Sequence, residues 1–479
     1  MLRDYQPGNY FDETFVSLDQ PRAHYQDIVH AFETYGRDEF QRRWGIIDLM
    51  MRQQGITFTV YSDTRGTERT FPFDPFPRVI PATEWQALEK GLKQRVKAIN
   101  TFLHDIYHEQ NILNEGVVPR ELIEKNPNFR PEMQGIDVPH KTYTHVVGTD
   151  LIRDKQGKYM VLEDNLRSPS GVSYMLGNRT FMLRSFPQLM ASQHVRTIRD
   201  YPNALLATLR SLSFSDVEPT IVVLTPGQYN SAYYEHAFLA QQMGVELAHG
   251  HDLFCHDGRV WMRTTQGRRA VDVIYRRIDD AFLDPLTFRK DSMLGVPGLM
   301  DVYKAGRIAL ANAVGTGVAD DKAMYMYIPK IIEYYLGEKA LLENVPTYMA
   351  ADPEQWDYIV DHVHNMVIKE VGGAGGYGML VGSEANDEDI ATYLDKVRAD
   401  PSNYIAQPIV QLSRHPTYYQ DSKRFEPCHV DLRPYILMGE DITVIPGGLT
   451  RVALKRGSLV VNSSQGGGSK DTWVLANGY

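Results

Sequence analysis

Cysteine is nearly absent. The 479 residues include only Cys255 and Cys428, far apart in the chain. This excludes a disulfide scaffold and a cysteine-built zinc site, and it fits a reducing, cytoplasmic setting. A cationic excess is also missing: 50 Lys plus Arg stand against 60 Asp plus Glu, a formal net charge of −10. With no basic field to hold a polyphosphate backbone, nucleic acid is not an expected partner. No run of about 18 apolar residues occurs, so no membrane-spanning helix is expected. The opening MLRDYQPGNYFDETF has no apolar signal-peptide core. Walker A, H-E-x-x-H, Ser/His/Asp and Cys/His signatures are all missing, as are low-complexity segments and fixed-period repeats. What is present is an ordinary globular composition, 43% hydrophobic and 23% charged. At this length two or three packed units are expected.

The first 140 residues read as mainly helical. The clearest helix starts near Thr83, with Trp85, Leu88, Leu92, Val96, Ile99, Leu103 and Ile106 on one face. Thr83 is its expected cap, with Gln86 three residues on. THVVGTDLIRD and KYMVLEDNL then form a hairpin around Asp154–Gly157. Residues 200–300 alternate strands (TIVVLTPG, AVDVIYRRID) with the helix YNSAYYEHAFLAQQM, and a further strand is expected at RIALANAV. This pattern implies a parallel sheet covered on both faces. A glycine-rich segment between two strands, the helix NDEDIATYLDKVRAD and a β-rich tail after Pro401 complete the chain.

Three groups of residues can carry chemistry. Glu163 and Asn165 lie two apart on a strand and share a face, and Asp150 on the partner strand can join them. Two carboxylates and an amide oxygen are hard donors suited to Mg²⁺ bridged to phosphates. Solvated hairpin ends are the plainer alternative. Second, Gly372–Gly378 contains G-x-G-x-x-G, but both flanks read as strands and Lys369 precedes the glycines. This excludes a dinucleotide fingerprint and a kinase loop, leaving a β-loop-β flap that can close on phosphates, or a flexible hairpin with a surface lysine. Third, Arg167, Arg433 and Arg451, with Asp431 nearby, offer guanidinium forks to carboxylate or phosphoryl oxygens, or serve as structural ion pairs. The Gly/Ser loop 462–470, with its basic end at Lys470, is either a phosphate grip or a mobile loop. His145, His236 and His429 stand alone and read as core or surface histidines.

Together these pieces resemble the ATP-grasp ligases in permuted order. Asp320-Asp321-Lys322 resembles the first lysine motif, Lys369 with its glycines the flap, YIAQP around Gln407 the adenine hinge, and HVDLRPYIL with Arg451 the D-x-R strand and following arginine. GTD…LEDN, carrying Asp150, Glu163 and Asn165, resembles the metal-binding end, displaced upstream. VLEDNLRSPSGVSYML, VVLTPGQYNSAYYEHAFLA, VDVIYRRIDD, TGVADDKA and VNSSQGGGSKDTW are similar to the circularly permuted ATP-grasp group, some members of which are described as glutathionylspermidine synthases.

The resemblance implies an α/β fold with a helical N-terminal region (1–140) wrapping the core. A permuted metal-binding part (141–190), a Rossmann-like pre-ATP-grasp domain (195–312) and an ATP-grasp core (313–479) follow, with a flap near 330–405. It implies ATP-dependent ligation of a small-molecule or peptide carboxylate to an amine through an acylphosphate. Mg²⁺, two ions, would sit on Asp150, Glu163 and Asn165. Lys322 and Lys369 would hold ATP phosphates, and Gly373, Gly375, Gly376 and Gly378 would close the flap. Arg167, Arg433 and Arg451 are the catalytic candidates, with Asn230, Ser231 and Glu235 facing the substrate cleft. A nucleotide-binding protein without ligase activity and a small-molecule phosphotransferase are the alternative readings.

Overall fold

The structure is a computed structural model. It describes the chain except residues 54–56, 60–67, 71, 216, 374–377, 455–460, 462–466 and 479. The expected helix runs Ala82–Ile106, and all seven residues of its apolar face are buried. Each such side chain contributes about 1.5–3 kcal/mol on leaving water. Thr83 is not the cap: the helix starts one residue earlier, behind Pro81, which offers no side-chain acceptor. The same buried face carries polar residues, which aim it. Asn100 accepts the backbone N–H groups of Tyr143 and Thr144 at 2.7 and 2.8 Å, fixing the chain just before the first long strand.

The N-terminal part is not all helix. Phe73–Ile80 is a strand with every residue buried, and it pairs in parallel with Gly468–Val474 at one edge of the largest sheet. Its sequence, FDPFPRVI, contains two prolines, which weaken a strand signal read locally. From there the main sheet path runs through 449–452, 424–433, 146–153 and 159–165 to Glu343–Asn344. Thus strands far apart in the chain lie side by side, with 146–153 directly between 159–165 and 424–433.

A second, four-stranded sheet is fully parallel, in the spatial order 309–311, 273–276, 221–224, 246–248. This is the expected α/β unit, including the strand at RIALANAV. The run AVDVIYRRID is split, however. Ala270 and Val271 close a three-stranded antiparallel meander, and Val273–Arg276 enters the parallel sheet. The break falls at Asp272, which exchanges hydrogen bonds with Thr220.

A third sheet is antiparallel, ordered 348–349, 404–408, 366–370, 380–381. It holds the glycine segment between two strands, as the sequence indicates. The α/β unit is locked to the main sheet by Asn312. Its amide oxygen accepts from His145 N and Val146 N at 2.8 Å each, and its nitrogen donates to the carbonyls of Val146 and Leu166. Among the described residues no helix is long and apolar enough to cross a membrane.

Candidate functional site

The hairpin strands Val146–Arg153 and Tyr159–Asn165 turn at Asp154–Gly157. The Asp154 carboxylate accepts from Gln156 N and Lys158 N, and Gly157 adopts φ 81°. In register, Asp150 opposes Glu163 and Gly148 opposes Asn165. All three polar side chains therefore share one face. Thr149 and Asp164 alternate onto the other face, where Asp164 is gripped by the buried Arg95 at 2.7–3.0 Å. This brace ties the hairpin to the helix Ala82–Ile106 and fixes which way its acids point.

On the site face, the neighbouring strands supply arginines. Arg433 binds both oxygens of Asp150 at 2.5 and 2.7 Å, and Arg451 spans Asp150 (2.6 Å) and Asp431 (2.5 Å). Burial pushes the Asp150 carboxyl up, but the two guanidiniums outweigh it and hold it well below the usual carboxylate range. Asp431 is shifted upward by burial, with the Asp150 charge adding to it. Asp150 thus stands where a metal ligand was expected, but both its oxygens are committed to arginine. Glu163 is freer. Its side chain is 37% exposed and 3.7 Å from Arg433. Burial and the neighbouring Asp150 raise its pKa, against the pull of Lys322 and Arg433. Asn165 donates its amide nitrogen to Gly148 O at 3.1 Å, which leaves its Oδ1 to a ligand.

Three consecutive residues of the Asp320-Asp321-Lys322 motif perform three tasks. Asp320 accepts from Leu166 N at 2.9 Å and pairs with Arg167. Asp321 caps the helix Lys322–Tyr325, accepting from Ala323 N and Met324 N. Lys322 reaches across to the glycine segment and donates to the carbonyls of Gly373 and Val371. Lys369 donates to Gln407 Oε1 at 2.8 Å, and Gln407 in turn donates to Thr347. Burial drives the Lys369 amine down to about 8, with Glu163 pulling upward and Lys322 pushing further down. These mutual influences place Glu163, Lys322 and Lys369 near one another, where the main sheet meets the small antiparallel sheet. Gly378 takes φ 69°, a turn conformation that favours glycine. Gly375 and Gly376 lie outside the described residues.

Other expectations require correction. Arg167 pairs with Asp320 and lies 3.9 Å from Asp279, the structural ion pairing that was its alternative reading. Glu235 does not face a cleft. It is buried and accepts from Gly171 N, Ser173 N and Ser173 Oγ, capping the helix Val172–Ser185 from another element. Asn230 turns onto its own loop, accepting from Ala232 N at 2.9 Å. Lys470 is no phosphate grip. It is wholly buried and bonded to Asp74 and to Pro416 O. Residues 462–466 of that loop lie outside the described residues. His145 and His236 are buried, as expected of core histidines; His236 bonds Thr225 Oγ1 at 2.9 Å.

Sequence reading missed the Arg95–Asp164 brace, a contact 69 residues apart. It also missed His249 and His251, although the local H-G-H-D pattern was there to see.

A small antiparallel sheet carrying Lys369, a large sheet carrying Asp150, Glu163, Arg433 and Arg451, and a parallel α/β unit are the parts of an ATP-grasp protein. The chain belongs to the circularly permuted ATP-grasp type 2 family, whose profile matches residues 77–453. It is 52% identical over 476 residues to an uncharacterized Synechocystis protein, covering 99% of this chain and 98% of the relative. A Frankia alni protein provisionally named glutamate–cysteine ligase 2-3 is 38% identical over 478 residues. That alignment covers 99% of this chain but 54% of the relative, so the chain spans about half its length. The apo structure of a glutathione synthetase-like effector from Globodera pallida has the same fold. The TM-score is 0.58 at 11% identity, covering 92% of this chain and 98% of that one.

Proposed function

We propose that the protein is an ATP-dependent carboxylate–amine ligase that works through an acylphosphate and releases ADP. The observation that carries this reading is the convergence of Glu163, Lys322 and Lys369 with the Asp150–Arg433–Arg451 cluster, from four distant stretches of chain. Asp150, Glu163 and Asp431 stand against Lys322, Lys369, Arg433 and Arg451. One cation remains in excess, which suits a polyanion.

Lys322 and Lys369 hold the phosphates of ATP as point charges. The donor set fits Mg²⁺ in part: Glu163 and the free Oδ1 of Asn165 are hard oxygen ligands, while Asp150 would have to release a guanidinium to join them. Bound there, Mg²⁺ would neutralise charge on the transferring phosphoryl group. Arg433 and Arg451, aimed by Asp150 and Asp431, orient the substrate carboxylate and stabilise the acyl phosphate oxygens. Lys322, bonded to the backbone of Val371 and Gly373, couples phosphate binding to the position of the glycine segment, which would exclude water from the intermediate. The substrates are a small-molecule or peptide carboxylate and an amine; the Frankia name supports amino-acid ligation without fixing either partner.

Hydroxylamine trapping is the test. With ATP and a library of carboxylates, an acylphosphate yields a hydroxamate. ADP release with no hydroxamate for any acid would refute the acylphosphate route and favour phosphorylation of a hydroxyl.

A further inference from the structure

The parallel α/β unit carries a second constellation, made of residues that the proposed nucleotide site does not use. The loop after Ile221–Leu224 and the turn after Glu246–Ala248 both leave the carboxyl ends of parallel strands, where α/β sheets characteristically bind ligands. Between them lies a pocket of about 370 Å³, lined among others by Thr225, Gly227, Tyr229, Tyr233, His249 and His251. Asp252 follows His251 directly in the chain. One donor atom each of His249, His251 and Asp252 fall within 4.8 Å of one another.

The two histidine–carboxylate spacings, one to each oxygen of Asp252, are of the size an ion needs. His249 Nδ1 lies 3.4 Å from Asp252 Oδ2, and His251 Nε2 lies 3.5 Å from Asp252 Oδ1. Donors at ~2.05 Å from a tetrahedral zinc ion stand about 3.4 Å apart. The turn is also rigid. Asp252 Oδ2 accepts the His249 backbone N–H at 2.8 Å, and the His249 ring accepts the Asp252 backbone N–H in return. A Cβ on Gly250 would meet the carbonyl oxygens of Leu294 and Gly295 at 2.4 Å, so the segment packs against 294–295 as only glycine can. The two rings stack at 5.3 Å between centroids. Coordination through His249 Nδ1 replaces that ring's backbone bond; Asp252 Oδ1 and His251 Nε2 have no competing hydrogen bond of this kind.

We infer that His249, His251 and Asp252 form a binding site for a divalent transition metal of the zinc class at the wall of this pocket. Imidazole nitrogens favour zinc, cobalt or nickel over the magnesium suited to the oxygen donors of the nucleotide cleft. The ion would sit beside the pocket, where its remaining positions meet water or a donor atom of a small ligand.

Co²⁺ titration of the full chain, read by visible d–d absorption and by calorimetry, tests this. Wild type is expected to bind one Co²⁺ with tetrahedral-type bands, displaced by Zn²⁺ but not by Mg²⁺. His251→Ala and Asp252→Ala are expected to weaken that binding at least tenfold, with unchanged circular dichroism. His108→Ala is the control: it disrupts the other adjacent histidine pair, His104 and His108, whose rings stand 4.1 Å apart, and should leave the bands intact. Absence of the bands in wild type, or their survival undiminished in both His251→Ala and Asp252→Ala, overturns the inference. So does their loss in His108→Ala alone.

Discussion

If Lys369 meets ATP phosphates as proposed, its burial gives nucleotide binding a pH dependence that can be worked out in advance. Burial lowers its amine to about 8, so the free protein loses this positive charge as pH rises through 8. Phosphates beside the amine return its pKa toward the ordinary ~10.4 of an exposed lysine. ATP binding above pH 8 must then take up a proton. The linkage gives about tenfold weaker binding at pH 9 than at pH 7, or about 1.4 kcal/mol, since one pKa unit is worth about 1.36 kcal/mol. The affinity is full below the free-state pKa and falls as pH climbs through it. Calorimetry from pH 7 to 9.5 in buffers of different ionisation enthalpy should show both the slope and the proton uptake. Lys369→Met should bind more weakly at pH 7 and lose the slope. A flat wild-type profile, or a slope that survives in Lys369→Met, would refute the placement of this lysine against phosphate.

Other outcomes follow from the same geometry. Glu163→Gln keeps the size and one acceptor oxygen but removes a charge facing Lys322 and Lys369; ADP release should fall by orders of magnitude while thermal unfolding stays near wild type. Arg95→Met strands the buried Asp164 carboxylate and should cost about 3–5 kcal/mol in denaturant unfolding, together with loss of nucleotide binding because the hairpin is no longer aimed. Leu88→Ala on the same helix should cost about 2–5 kcal/mol by leaving a cavity, with nucleotide affinity retained. Glu235→Ala removes the acceptor for three donors at the start of Val172–Ser185. It also strands the buried Arg277, 3.3 Å away, and should lower stability by about 3–5 kcal/mol, measured by chemical denaturation.

Much of the site was written locally. Period-two spacing placed Glu163 and Asn165 on one face before any contact was known. The two strands expected on either side of the glycines are there, Met366–Glu370 and Leu380–Val381, as a dinucleotide loop would not have them. The 3.6-residue period of 85–106 marked the buried helix face. What local pattern did not carry was the use of each charge. Arginine spacing is the same whether a guanidinium meets substrate or a carboxylate, and only the fold revealed that Asp150 is held by Arg433 and Arg451. Lys470 looked like the basic end of a loop because nothing near it in sequence shows Asp74, 396 residues away, waiting in the core.

The amino-acid order alone therefore indicated the class of fold, the hairpin and the two strands that flank the glycines, because periodicity and turn chemistry act over a few residues. Tertiary packing decided which acids stay free, which arginines are already paired and where the strand Phe73–Ile80 belongs. Those outcomes depend on desolvation and on partners hundreds of residues apart, and neither is a property of any short segment.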